Sequence, residues 1–360
     1  MRFFRLNALI FFVLVNMVFA GDGNKKRSGF SLEIFSGFTG ITGRDIKSRL
    51  DYRATYNKNE GKLIYNFNSL PIYFRTPYGY NTFISLSYKP TRTFDAVGLQ
   101  LWFFDWRDGK RGKFRIVETG VGSKISKAEA LYYSANSDFF IRTADIFIIR
   151  DFLSKKNWIF SVYGAMKIAI LDYRLEVSTR QNLSYQSFYY FFDGKINISG
   201  DHKTEYSTLI GPSLGINFHR RLSVFHWKSF LRQVILLGDV EHIGDLDGTV
   251  QGRANYFGLK DTINVYFKDK IDFTKKDFTF FPVTEVGSRI DYVLPWKFYG
   301  ENLSVGLGGT YALWWNVYFG PKLNGAWELG KPFKDNNLRW TPRRQNIGFY
   351  NGFIFLAVSF

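Results

Sequence analysis

Apolar and polar residues take turns at every second position in segment after segment of this chain, the period of a strand whose two faces meet different surroundings. In NTFISLSY, Ile84, Leu86 and Tyr88 fall on one side and Phe83, Ser85 and Ser87 on the other. In DAVGLQLWFF, Val97, Leu99, Leu101 and Phe103 oppose Gly98 and Gln100; in NWIFSVYGAMKIAIL, Phe160, Val162, Met166, Ile168 and Ile170 oppose Ser161, Tyr163, Ala165 and Lys167. ENLSVGLGGTYALWWN sets Leu303, Val305, Leu307, Tyr311 and Leu313 against Asn302, Ser304, Gly306, Gly308 and Thr310. No segment of comparable length reads as a clean amphipathic helix.

Ten such segments are predicted, at 29–41, 79–90, 94–106, 142–153, 157–174, 205–219, 229–243, 281–294, 302–317 and 347–360. Long connections (42–78, 107–141, 175–204, 244–280 and 318–346) take turns with short ones (PTRT, LSKK, HRRLSVFHW and PWKFYGE). Loops that long count against a compact soluble domain. Short turns at one rim and long loops at the other are what a transmembrane barrel has. A strand with one lipid-facing side cannot cross as an open sheet, because its edge N–H and C=O groups would be unpaired, so the strands must close on themselves. The expected fold is all-β: a closed antiparallel transmembrane β-barrel of about ten strands, with twelve the alternative if LIYNF or INVYF adds strands. Short periplasmic turns and long extracellular loops complete it.

Composition sharpens this picture. Aromatics are 19% of the 360 residues, yet mean hydropathy is −0.16, so apolar residues are interleaved rather than massed. The start, MRFFRLNALIFFVLVNMVFAGDG, has Arg2 and Arg5, an apolar run from Ala8 to Phe19 and small residues before Gly21. It reads as a signal peptide over 1–20 with cleavage after Ala20, leaving 21–360 as the barrel and the outer membrane as the destination after Sec-dependent export. There is no Cys, so no disulfide scaffold is available. Trp102, Phe103, Phe104 and Trp106, with Trp314 and Trp315, are expected at the outer headgroup girdle, and Trp158 and Trp296 at the inner one.

The last strand, IGFYNGFIFLAVSF, carries no charge. Counting back from Phe360 by twos gives Val358, Leu356, Ile354, Gly352 and Tyr350, an aromatic end on a lipid-facing stripe, with Asn351, Phe353, Phe355, Ala357 and Ser359 toward the lumen. This resembles the C-terminal signature of bacterial outer-membrane β-barrels, and the resemblance implies recognition of Tyr350, Ile354, Leu356, Val358 and Phe360 by the barrel-assembly machinery. The runs YSTLIGPSLGINFHRRL, VILLGDVEHIGD, VTEVGSRIDYVLPW and LSVGLGGTYALWWNV, with the segment from Tyr80 to Trp106, are similar in spacing to the Legionella-type pore-forming major outer-membrane proteins, also found among chlamydia relatives. That resemblance implies a pore and brings no catalytic motif.

Candidate chemistry lies on the inner face. By parity Glu33, Asp145, Lys167, Asp239, Glu241, Glu285, Arg289 and Asp291 are expected to point into the lumen. Charges of both signs in a narrow interior must pair, so they either fill and rigidify it or line a path for a small solute; the small diameter favours filling. Ten strands also resemble omptin-like rim proteases, but Asp105 and Asp108 are three apart and His242 has opposite parity to Asp239, which does not give general-base geometry. His202, His219 and His226 lack metal-ligand spacing, and no cofactor is expected. The net charge of +17 concentrates in proposed loops such as Arg107, Lys110, Arg111, Lys113 and Arg115. It suits lipid phosphate or host polyanions rather than nucleic acid, which exported barrels seldom meet. The sequence thus predicts a non-enzymatic barrel, either a narrow porin-like channel or an envelope structural protein, with a surface adhesin as the rival.

Overall fold

The computed structural model describes residues 29–42, 49–57, 62–70, 78–89, 95–114, 131–155, 157–186, 190–256, 262–298, 301–328 and 339–359. Residues 1–20, read as a signal peptide, Arg115 and Phe360 lie outside the described residues, as do the side chains of Asp108, Lys110, Arg111 and Lys113. All regular structure among the described residues is strand: β1 (Gly29–Thr42), β2 (Arg49–Asn57), β3 (Lys62–Leu70), β4 (Tyr78–Lys89), β5 (Ala96–Phe114), β6 (Leu131–Lys155), β7 (Trp158–Gln186), β8 (Tyr190–Leu222), β9 (Phe225–Tyr256), β10 (Thr262–Phe298), β11 (Glu301–Glu328) and β12 (Arg339–Ser359).

Ten strands form a closed antiparallel ring in the order β10-β9-β8-β7-β6-β5-β4-β1-β12-β11, completed by pairing of β10 with β11. The first and last strands are neighbours in the ring: β12 runs against β1 from Ser31↔Ser359 to Thr42↔Gly348. LIYNF lies in β3, which with β2 forms a hairpin on the upper part of β11, outside the ring. INVYF continues β10. The ring therefore has ten strands, each matching one alternating segment of the sequence.

A belt of exposed apolar side chains surrounds the ring, including Ile146, Met166, Leu214, Leu231, Val286, Leu307 and Ile354. With every ring strand paired on both sides at that level, this is the transmembrane form that lipid permits. At one rim β8 passes to β9 through Ser223 and Val224, with Ser223 at φ 54°, a two-residue hairpin turn.

The other rim differs from the long loops expected. Segments 175–204 and 244–280 are mostly strand, because β7 runs to Gln186, β8 starts at Tyr190, β9 runs to Tyr256 and β10 starts at Thr262. β10 has 37 residues; at about 3.3 Å per residue and a tilt of about 40° that is roughly 90 Å of height, against an apolar band of about 25 Å. The wall stands far above the membrane, where its outer face meets water and the apolar stripe that marks a lipid-facing strand in sequence fades.

Among the described residues the wall above the membrane is not a closed tube. β5 beyond Arg107 pairs only with β6, and β10 pairs with β11 only from Val283 onward. At Trp315–Asn316 the register of β11 slips, Asn316 takes φ 60°, and its N–H donates to Asn346 Oδ1 at 3.1 Å. Past that bulge β11 and β12 lean into the tube: the Tyr206 hydroxyl of β8 donates to the Tyr318 carbonyl at 2.8 Å, and the ring of His242 on β9 packs edge-on against Tyr318 at 4.8 Å.

Candidate functional site in the barrel interior

The inner face identifies itself by contacts that adjacent strands cannot make. Lys167 on β7 donates to Glu285 Oε1 on β10 at 2.7 Å although β8 and β9 stand between them, and its ammonium lies 3.1 Å from Asp145 Oδ2. Arg289 on β10 makes a forked pair with Glu33 on β1 at 2.8 and 2.6 Å. Arg232 on β9 reaches Gln100 on β5 at 3.2 Å, across the barrel, with its guanidinium 3.9 Å from the Tyr163 ring centroid. Lys228 joins Asp291 at 2.8 Å and approaches Glu33 at 3.9 Å. Each cross-lumen pair ties together parts of the wall that hydrogen-bond ladders leave independent.

Phe35, Phe353 and Phe355 pack as one cluster beside these charges, and Arg289 lies over Phe355 at 4.7 Å. The inward positions of β11 are small here: a Cβ on Gly306 would stand 2.6 Å from the Phe355 ring, and one on Gly308 would stand 2.6 Å from Arg289 Cβ. Glycine is what lets the bulky groups of β10 and β12 occupy the lumen. One level up, Asn81 donates to Thr39 at 2.6 Å and to Asn351 at 3.0 Å, Thr39 also donates to Asn351, and Asn351 donates to Thr310 at 2.7 Å.

Above that rung aromatic rings cross the lumen. Phe349 of β12 meets Trp102 (6.1 Å), Phe104 (5.7 Å), Phe139 (5.7 Å) and Trp314 (6.3 Å), which come from β5, β6 and β11. Phe281 continues the layer to Trp314 and Tyr206. Phe104, Trp314 and Phe281 have no accessible surface. Trp102, Phe104, Trp106 and Trp314, expected at the outer girdle, are therefore lumen plug; Phe103 and Trp315 alone of that group have the outward parity. Counting by twos from the inward Gln100 places the first three inside, a signal present in the sequence but masked by the density of aromatics around them.

Glu33, Asp145, Lys167, Glu285, Arg289 and Asp291 stand on the inner face, and all belong to the ion-pair network. Asp239 and Glu241 do not. Asp239 is exposed on the outer face and Glu241 pairs outward with Lys276 at 3.4 Å, while Val240 and His242 point in. At that height β9 has left the membrane, so its outer face meets water and its inner face meets packed rings, and the polarity rule inverts. Arg232 and Lys228, which the sequence reading missed, share the even-numbered inward parity of Val234 and Leu236.

Among the described side chains Asp105, Asp239 and His242 do not come together as a proteolytic pair. Asp105 is held by Arg142 Nη2 at 2.8 and 3.1 Å on the outer face, and Asp239 points away from the face that carries His242. His242 instead faces His202 across the Thr204 hydroxyl, at 3.2 and 3.0 Å. These two rings lie in the wall above the membrane. Burial lowers His202 to about 3, with repulsion from His242 adding to it. It lowers His242 to about 4 against the opposing pull of Asp277. On β12 the residues read as an assembly signal, Tyr350, Ile354, Leu356 and Val358, have the outward parity. Arg107 is exposed and lies 3.8 Å from Asp138.

No protein family model matches the chain, and no curated protein matches its sequence. Among solved structures it is similar to the outer membrane protease OmpT of Escherichia coli, with 12% identity, 94% of this chain and 99% of that one covered, and a TM-score of 0.39. It is also similar to the toluene transporter TodX of Pseudomonas putida (8% identity, 94% and 91% covered, TM-score 0.18). A FadL homologue of Pseudomonas aeruginosa compares at 8% identity, 92% and 90% covered, and a TM-score of 0.20. Similarity this low transfers no activity, and the architecture stands on the strand pairings themselves.

Proposed function

We propose that this protein is an outer-membrane barrel that seals its own lumen, acting as a structural element of the envelope and a rigid mount for its tall extracellular wall. The observation that carries this is the double closure of the interior, by cross-lumen ion pairs such as Lys167–Glu285 and Arg289–Glu33 and by the ring layer around Phe349. Residues that would line an open passage are spent on one another. Outer-membrane placement is supported by the apolar belt on a closed β-barrel and by the leader-like N-terminus. Lipid is then the partner of the belt, and the barrel-assembly machinery the partner of the outward stripe on β12.

The similarity in spacing to pore-forming major outer-membrane proteins favours a channel instead, and solute uptake separates the two. Proteoliposomes carrying the purified protein should swell in small sugars no faster than protein-free vesicles. Size-dependent swelling of the kind open porins give would overturn the proposal.

A further inference from the structure

From Thr262 to Pro282, β10 is bonded to β9 on one side, and no described residue pairs with its other side. The ring is unzipped there because β11 turns inward at its bulge and Pro282 offers no N–H. A long strand edge in the extracellular wall thus presents its donors and acceptors to whatever lies outside. Its outward side chains are Tyr266, Lys268, Lys270, Asp272, Thr274, Lys276, Phe278 and Phe280, all exposed.

We propose that this edge binds an extended acidic segment of a partner protein as an added strand. The partner's carboxylates would stand opposite Lys268 and Lys276, and its apolar residues opposite Phe278 and Phe280. Main-chain bonds would supply the affinity and the alternating side chains the selectivity. Charge decides the occupant. Lysines along an edge discourage pairing with a like strand, and two copies standing in one membrane would bring their β10 edges together running the same way, Lys against Lys at equal height. An acidic segment meets the opposite sign. Lys268 has no ion pair among the described residues, and the Lys276–Glu241 pair at 3.4 Å is solvent-exposed and readily exchanged. Further round the wall the carboxylates are already matched: Glu176 and Asp201 pair with Arg174, and Asp245 pairs with Lys270 at 3.3 Å.

The test uses the full chain in nanodiscs and three synthetic peptides: alternating Glu-Thr ending in Val-Ile-Val, its Lys-for-Glu counterpart, and the Glu version interrupted by proline. The Glu peptide is expected to bind at least tenfold more tightly than the other two, to weaken with added salt, and to slow amide exchange over residues 262–282. Lys268→Glu with Lys276→Glu, both exposed and outside the packed interior, should reverse the preference toward the Lys peptide while leaving heat-modifiable migration unchanged. Equal binding of the proline-interrupted peptide would reduce the effect to charge alone and overturn the proposal. So would wild-type preference for the Lys peptide, unchanged exchange along β10, or dimers that protect this edge without peptide.

Discussion

Replacing Lys167 by Met removes the one ammonium that stands between Asp145 and Glu285, at 3.1 and 2.7 Å, with the three side chains only 4%, 3% and 12% exposed. Two buried carboxylates are then left facing each other. Arg232 attracts both carboxylates from a distance, but its guanidinium is stacked on Tyr163 and bonded to Gln100, so it compensates only in part. Removing one member of a buried ion pair costs about 3–5 kcal/mol, a factor of about 10² to 10³ or more in the unfolding equilibrium. The triple variant Lys167→Met, Asp145→Asn, Glu285→Gln leaves no uncompensated charge, and such neutral replacements are often close to neutral in stability. Reversible urea unfolding in lipid vesicles, followed by tryptophan fluorescence, gives both numbers. The reasoning fails if Lys167→Met lies within about 1 kcal/mol of wild type, or if the triple variant is as damaged as the single one.

Three further outcomes are expected. Phe349→Ala empties the hub of the ring layer and should cost about 3–5 kcal/mol in the same urea assay, whereas Phe103→Ala, on the outer face, should cost far less. Ile354 is 73% exposed in the lipid belt, so Ile354→Arg should lower stability in the urea assay by up to about 2–4 kcal/mol, the figure for a charge on the lipid face at the bilayer midplane. Because His202 and His242 titrate folded at about 3 and about 4, against 6.5 unfolded, both are neutral in either state above pH 6.5. Below it the unfolded wall takes up protons that the folded wall refuses, so stability falls as pH drops from 6.5 toward 4. Hydrogen exchange should report faster opening of upper β8 and β9 at pH 5 than at pH 7, and His202→Gln with His242→Gln should remove that difference even though Asp277, Lys275 and Arg344 remain nearby.

The period-two pattern located all ten ring strands, because within the membrane lipid on one side and packed lumen on the other impose a contrast that any window of residues reveals. It placed both Glu33 and Arg289 inside, but not against each other. The same rule misled at Asp239 and Glu241, because parity carries no height and the contrast reverses once a strand rises into water. Trp102, Phe104, Trp106 and Trp314 show a second limit. An aromatic residue suits a headgroup girdle and a closed lumen equally, and only the ring's closure brings Phe349 into contact with partners more than two hundred residues away in sequence. Of the extension TINVYFKDKIDFTKKDFTF only INVYF shows as a possible strand in the sequence, because polar residues on the face that meets water hide the rest. That Lys167 would meet Glu285 rather than any other carboxylate follows from register, which the sequence does not state.

Single-channel recording in planar bilayers tests the central claim, that side chains seal this barrel, most directly. The wild-type protein should give no steady conductance steps, while Phe349→Ala with Trp314→Ala, folded and heat-modifiable, should give discrete ones. Steps in the wild type as large as those of the double variant would contradict the account.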